Sequence, residues 1–95
     1  MNKIVVLSDV DNVATCLTDL DADARIEVPI DGETRSIAVH DAIPFGHKIA
    51  IRSLAVGADV LKYGEVIGRA SATIEPGQWV HVHNVESVRA RGDIA

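Results

Sequence analysis

No stretch of this 95-residue chain carries an apolar period of 3.6 residues through three helical turns. Short alternating runs take its place, each ended within a few residues by Gly, Pro, Asn or Asp. That pattern restricts the fold to short strands joined by tight turns. Residues 3–7 form a compact Val/Ile run and 13–17 resume a strand pattern. Residues 25–30 and 34–39 flank Asp31-Gly32, a hairpin signal. Residues 48–54 alternate, with Ile49 and Ile51 on one face and Lys48, Ala50 and Arg52 on the other. Residues 60–63 form a short strand ending at Gly64, and 66–74 continue extended with an interruption at Gly68. Glu75-Pro76-Gly77-Gln78 is a turn, because Pro presets φ and Gly accepts a positive one. Residues 79–83 are the last expected strand. The chain contains no repeats and no low-complexity tracts. The expectation is one mainly β, barrel-like or clip-like domain over residues 1–86, followed by a polar tail at 87–95.

Such a domain must build its core from Val, Ile, Leu and Ala, since 47% of residues are hydrophobic but only 3% aromatic. A core of this kind in so short a chain leaves little room for a deep, self-contained catalytic pocket. A partner subunit or a homo-oligomer would relieve that limit. Acids outnumber Lys plus Arg by 14 to 9, giving a net charge of −5. The resulting surface lacks the basic face that nucleic acids require. Cys16 is the only cysteine, so no intrachain disulfide can form, and its apolar setting reads as a small buried residue. The opening apolar run is too short for a signal peptide or membrane helix, which leads to the expectation of a cytoplasmic protein. Asp19, Asp21 and Asp23 alternate, but the Gly turn and terminal Glu of a calcium loop are missing.

Few residues are suited to chemistry. If 79–83 is a strand, His81 and His83 point the same way, roughly 7 Å apart, and could share a metal ion or a charged substrate group. They could equally be two surface histidines on a half-exposed strand. Gly46-His47-Lys48 offers an imidazole able to work as acid or base and an ammonium able to hold a carboxylate. The plain alternative is a turn histidine followed by a solvated lysine. Asn12 reads as a capping or turn residue, Tyr63 as a packed ring with its hydroxyl satisfied rather than a proton donor, and Asn84 as a residue that orients an imidazole or ends the strand.

Taken together, Asp11-Asn12-Val13-Ala14, Gly46-His47-Lys48, Lys62-Tyr63-Gly64, Ile67-Gly68-Arg69-Ala70 and Val80-His81-Val82-His83-Asn84 resemble the altronate/galactarate dehydratase amino-terminal domain, in order and spacing. The resemblance covers about residues 4–95 and implies a β-clip (SAF-like) fold. It further implies a stand-alone small subunit of a split sugar-acid hydro-lyase or sulfolactate sulfo-lyase, working with a large catalytic subunit. The implied reaction removes water or sulfite from a 2-hydroxy acid to give a 2-keto acid. On the same basis His47 and Lys48 are expected to face the substrate, with Asn12, Tyr63 and Asn84 as substrate-binding residues. His81 and His83 are the expected contacts to a divalent ion, Fe2+ or Mn2+, shared with or held by the large subunit. A non-catalytic SAF-type module for carbohydrate-acid binding or assembly is the competing expectation.

Overall fold

A single turn device, used four times, shapes the backbone. In the tetrads 21–24, 44–47, 55–58 and 75–78, the fourth residue's N–H donates to the first residue's carbonyl at 3.0–3.1 Å. The third residue of each has positive φ: Asp23 74°, Gly46 86°, Gly57 88° and Gly77 95°. This is the type II pattern, which calls for Gly at the third position; Asp23 is the exception, and Asp is among the residues that tolerate it. Each turn delivers the chain directly into a strand. The repetition shows in the residues only as an apolar residue before each tetrad (Leu20, Ile43, Leu54, Ile74) and Gly at three of the four third positions.

The computed structural model describes residues 3–87. Nine strands and, among the described residues, no helix make up the domain, so the expectation of a mainly β fold is met. They are β1 (Ile4–Val5), β2 (Val13–Cys16), β3 (Arg25–Ile30), β4 (Glu33–Ala38), β5 (Lys48–Ala50), β6 (Asp59–Lys62), β7 (Glu65–Ala70), β8 (Trp79–Val80) and β9 (Val85–Ser87). All pairings are antiparallel. A central sheet runs β1-β2-β5-β8, with the β3-β4 hairpin and a β6-β7-β9 sheet beside it. No described helix is long and apolar enough to cross a membrane.

Period-two alternation gives the central sheet two apolar faces. Ala14, Cys16 and Ile49 join one core with Ile26, Val28, Ile30 and Ile37 from the β3-β4 hairpin. Val13, Ala50 and Val80 join a second core with Val60, Ala70, Leu54 and Ile74. Every buried apolar residue is Ile, Val, Leu, Ala or Cys. Fully burying each of the larger ones contributes about 1.5–3 kcal/mol. The three aromatic residues are left outside the fully buried core, where two of them help build the groups described below.

The Asp31-Gly32 hairpin forms as expected: Ile30 pairs with Glu33, and the two turn residues take φ of 53° and 79°. β7 runs unbroken through Gly68, contrary to the expected interruption there; Gly is needed because β9 lies against it, and a Cβ would sit 2.7 Å from the Glu86 carbonyl oxygen. Three further expectations need correction. β5 stops at Ala50, although Ile51 still reaches the same core as Ile49. β7 ends at Ala70 and does not run to residue 74. The strand expected over 79–83 ends at Val80. Of the expected tail, Ser87 closes β9, paired with Gly68, and residues 88–95 lie outside the described residues.

Candidate functional site

The turn at 44–47 is docked on the end of β2. Gly46 N–H donates to the Cys16 carbonyl at 2.8 Å, Cys16 N–H to the His47 carbonyl at 2.8 Å, and Phe45 N–H to Asp19 Oδ1 at 2.7 Å. Pairing of β5 with β8 then sets Ile49 opposite Trp79 and Lys48 opposite Val80. One step further along, the His47 and His81 rings meet at 4.9 Å between centroids. The Trp79 indole lies nearly parallel to His81, 11° apart in plane at 5.0 Å, and touches the tilted His83 ring at 5.6 Å. Four rings therefore form one group with Trp79 at its centre.

Hydrogen bonds fix the members of this group. Trp79 Nε1–H donates to His47 Nδ1 at 3.2 Å, and Trp79 N–H donates to Asp41 Oδ2 at 3.1 Å. Indole nitrogen is a donor only, so His47 Nδ1 accepts and the neutral ring carries its hydrogen on Nε2. That Nε2–H has no protein acceptor among the described residues and is free to donate to a ligand oxygen.

His81 and His83 do not share a strand face, since the chain turns after Val80. The cause is Asn84, only 7% exposed. Its side-chain oxygen accepts His81 N–H at 2.9 Å, and its nitrogen donates to the Trp79 carbonyl at 2.8 Å. Both polar atoms of the carboxamide are spent on holding the turn, so Asn84 shapes the loop that carries the histidines. Val82, 81% exposed, forms the tip between them.

Lys48 belongs to a second group. Successive strand residues project to opposite faces. Lys48 therefore lies across from Thr15 and Val80, on the second-core side, while His47 turns to Trp79 on the first-core side. Thr15 Oγ1 and the Tyr63 hydroxyl are 3.0 Å apart, and Lys62 Nζ stands 4.9 Å over the Tyr63 ring. Partial burial, together with repulsion from Lys62, holds the Lys48 ammonium below the usual lysine range.

The Tyr63-Gly64 turn between β6 and β7 is held in place by Asp11. Both turn residues have positive φ, 55° and 79°, the first an unfavourable value for a ring-bearing residue. The Asp11 carboxylate, 1% exposed, accepts Tyr63 N–H at 2.9 Å and Gly64 N–H at 2.8 Å. Asn12 beside it is likewise committed: its oxygen accepts Leu61 N–H at 2.8 Å and its nitrogen donates to the Asp59 carbonyl at 2.9 Å. Asn12 thus stitches the start of β2 to β6 with the same double bond a strand neighbour would make.

Among the described residues, no three His, Cys, Asp or Glu side chains come together in a way that could hold a metal ion. His81 and His83 do not complete a coordination shell from this chain, and His47 Nδ1 is already taken by Trp79. Recesses of about 450 and 200 Å3 lie at β1 against the β3-β4 hairpin and beside Arg52, and neither is lined by a histidine.

Sequence reasoning did not find Trp79, Thr15, Lys62 or Asp11 as members of these groups. Lys62 and Asp11 stood in the quoted motifs only as neighbours of Tyr63 and Asn12, and for Thr15 no local signal existed. Trp79 was detectable in principle, as an indole two residues before one histidine of the pair and four before the other.

Comparison with known proteins places the chain in a family. A sequence model of the altronate/galactarate dehydratase SAF domain matches residues 2–88. The chain is 52% identical over 56 residues to (2R)-sulfolactate sulfo-lyase subunit alpha of Chromohalobacter salexigens, covering 59% of this chain and 60% of that one. It is 41% identical over 85 residues to altronate dehydratase of Escherichia coli, covering 90% of this chain but 16% of the relative. With galactarate dehydratase (L-threo-forming) of the same organism the identity is 34%, over 80% of this chain and 14% of the relative. The matches span less than two thirds of the length of each of these relatives. The family match takes in nearly the whole chain, and the chain belongs to the altronate/galactarate dehydratase SAF domain family.

Proposed function

We propose that this chain is the small subunit of a lyase that eliminates water or sulfite from carbon 3 of a 2-hydroxy acid, leaving an enol that tautomerises to a 2-keto acid. The similarity to a lyase subunit alpha and to short parts of two much longer dehydratases carries this reading. Those relatives act on sulfolactate, altronate and galactarate by name, and a sugar acid or sulfolactate-like acid is the substrate class proposed here.

The geometry suggests a division of labour. His47 carries its hydrogen on Nε2, which suits a hydrogen-bond donor to the departing or neighbouring oxygen better than a base. The base for the proton at carbon 2 is then a group of the large subunit. Lys48 supplies positive charge for the acid's anionic end. A divalent ion, Fe2+ or Mn2+, belongs to this reading as one held mainly by the large subunit with His81 and His83 at its margin. The chemistry assigned to His47 and Lys48 does not pass through it. Asn12 and Asn84 support the site by holding its backbone. The cytoplasm is the compartment that fits such an enzyme.

The test is to isolate the chain with its stoichiometric partner and assay altronate, galactarate and sulfolactate for 2-keto acid. Product is expected only when both chains are present. Binding of an acid with no turnover by the complex would replace this reading with that of a carbohydrate-acid binding module.

A further inference from the structure

Two of the chain's three lysines border the same Thr15–Tyr63 pair, although acids outnumber bases by 14 to 9. Lys48 lies across from Thr15, Thr15 meets the Tyr63 hydroxyl at 3.0 Å, and Lys62 stands over the Tyr63 ring at 4.9 Å. Neither ammonium has a carboxylate within ion-pairing distance among the described residues. Glu65, opposite Lys62 across the hairpin, forms no ion pair with it, and the Asp11 carboxylate is turned to the Tyr63 and Gly64 N–H groups. Like charges placed together, one of them partly out of water, cost folding free energy unless an anion joins them. The aromatic ring and two hydroxyls beside them are neutral, so they add hydrogen-bonding capacity without cancelling the charge.

From this arrangement we infer that Lys48, Lys62 and the hydroxyls of Thr15 and Tyr63 form a cradle for a carboxylate or sulfonate group. Lys62 and Thr15 are thereby binding residues of the chain, and Asp11 is a positioning residue that holds Tyr63 in its left-handed conformation. The geometry calls only for an anion; its identity as the acid end of the substrate rests on the lyase reading above. The Trp79–His47 group lies on the other face of the central sheet, so the cradle and the histidines hold different parts of one ligand, or different ligands.

The experiment is an NMR titration of the isotope-labelled full chain with malonate and then with sulfoacetate, following the lysine Cε and Tyr63 ring signals. Saturable shifts at Lys48, Lys62 and Tyr63, with Lys3 unmoved, are expected. Lys62→Met should weaken binding about tenfold or more, the scale of one charge-assisted hydrogen bond, and Tyr63→Phe should weaken it less. A response without saturation, equal shifts at Lys3, or unchanged affinity in Lys62→Met would overturn the cradle. The lyase reading fails separately. An inactive two-chain complex whose small subunit still binds malonate removes the reaction and keeps the cradle. An active complex whose KM is untouched by Lys62→Met removes the cradle and keeps the reaction.

Discussion

Trp79 Nε1–H donates to His47 Nδ1 at 3.2 Å, and this one bond decides which nitrogen of the neutral His47 ring carries the hydrogen. Without it, neutral imidazole is free to place its hydrogen on either nitrogen. Trp79→Phe keeps an aromatic ring but removes the donor. It is expected to cost about 0.5–1.5 kcal/mol, by denaturant titration, and to mix the His47 tautomers, by two-bond proton–nitrogen correlation. A single Nε2–H tautomer in the variant would show that something else sets the ring.

In the proposed complex with a large subunit, His47→Ala should leave subunit binding intact and lower kcat about 100-fold or more, as for a lost proton-handling group. An unchanged kcat would remove His47 from the chemistry and leave it as the acceptor that orients Trp79.

Asp11 holds two N–H groups of a turn whose first residue is a tyrosine with φ of 55°. Asp11→Asn retains the shape but turns one oxygen into a donor facing a donor. A loss of about 1–3 kcal/mol in denaturant midpoint analysis is expected. The tyrosine ring signals should shift as Tyr63 leaves Thr15.

Lys48 titrates below the ordinary lysine value of 10.5 because of burial and then Lys62. In the pH range where both states are charged, the native state bears a cost that the unfolded chain does not. That cost fades as pH rises through the native value toward 10.5. Lys48→Met should therefore raise Tm at neutral pH, with the gain shrinking in alkali, while weakening anion binding. A lower Tm at neutral pH would mean that the ammonium is already paired.

Burial pushes the Cys16 thiol up to about 11 from 9.0. Its protonated form contributes stability that is complete below pH 9.0 and lost as pH climbs to about 11. In native protein at mildly alkaline pH, Cys16 should resist a thiol-specific disulfide reagent and react only on unfolding. Rapid native labelling would show that β2 opens locally.

Much of the architecture was legible from neighbours in the chain. Asp31-Gly32 between alternating runs specifies its hairpin, and Glu75 through Gln78 specifies its turn, since both rest on which residues accept positive φ. Alternation put Ile49 and Ile51 on one side and Ala50 on the other, and they divide between the two cores in that way. The same local logic failed at residues 81–83, where alternation predicted a strand. Asn84 ends it with a side-chain bond to His81 N–H that competes with the ladder. β9 went unread because Val85-Glu86-Ser87 is too short to show a period.

By itself the sequence determined the class of fold, a core built mainly from aliphatic residues and a buried cysteine, because those follow from composition and from residues a few positions apart. Only the tertiary structure decided which side chains meet. Thr15 and Tyr63 lie 48 residues apart, and Trp79 and His47 lie 32 apart. Their contacts depend on strand register, which is settled by the packing of the whole domain. For the same reason His47 and Lys48, adjacent in the chain, belong to different groups: the pleat of an extended strand sends neighbours to opposite faces.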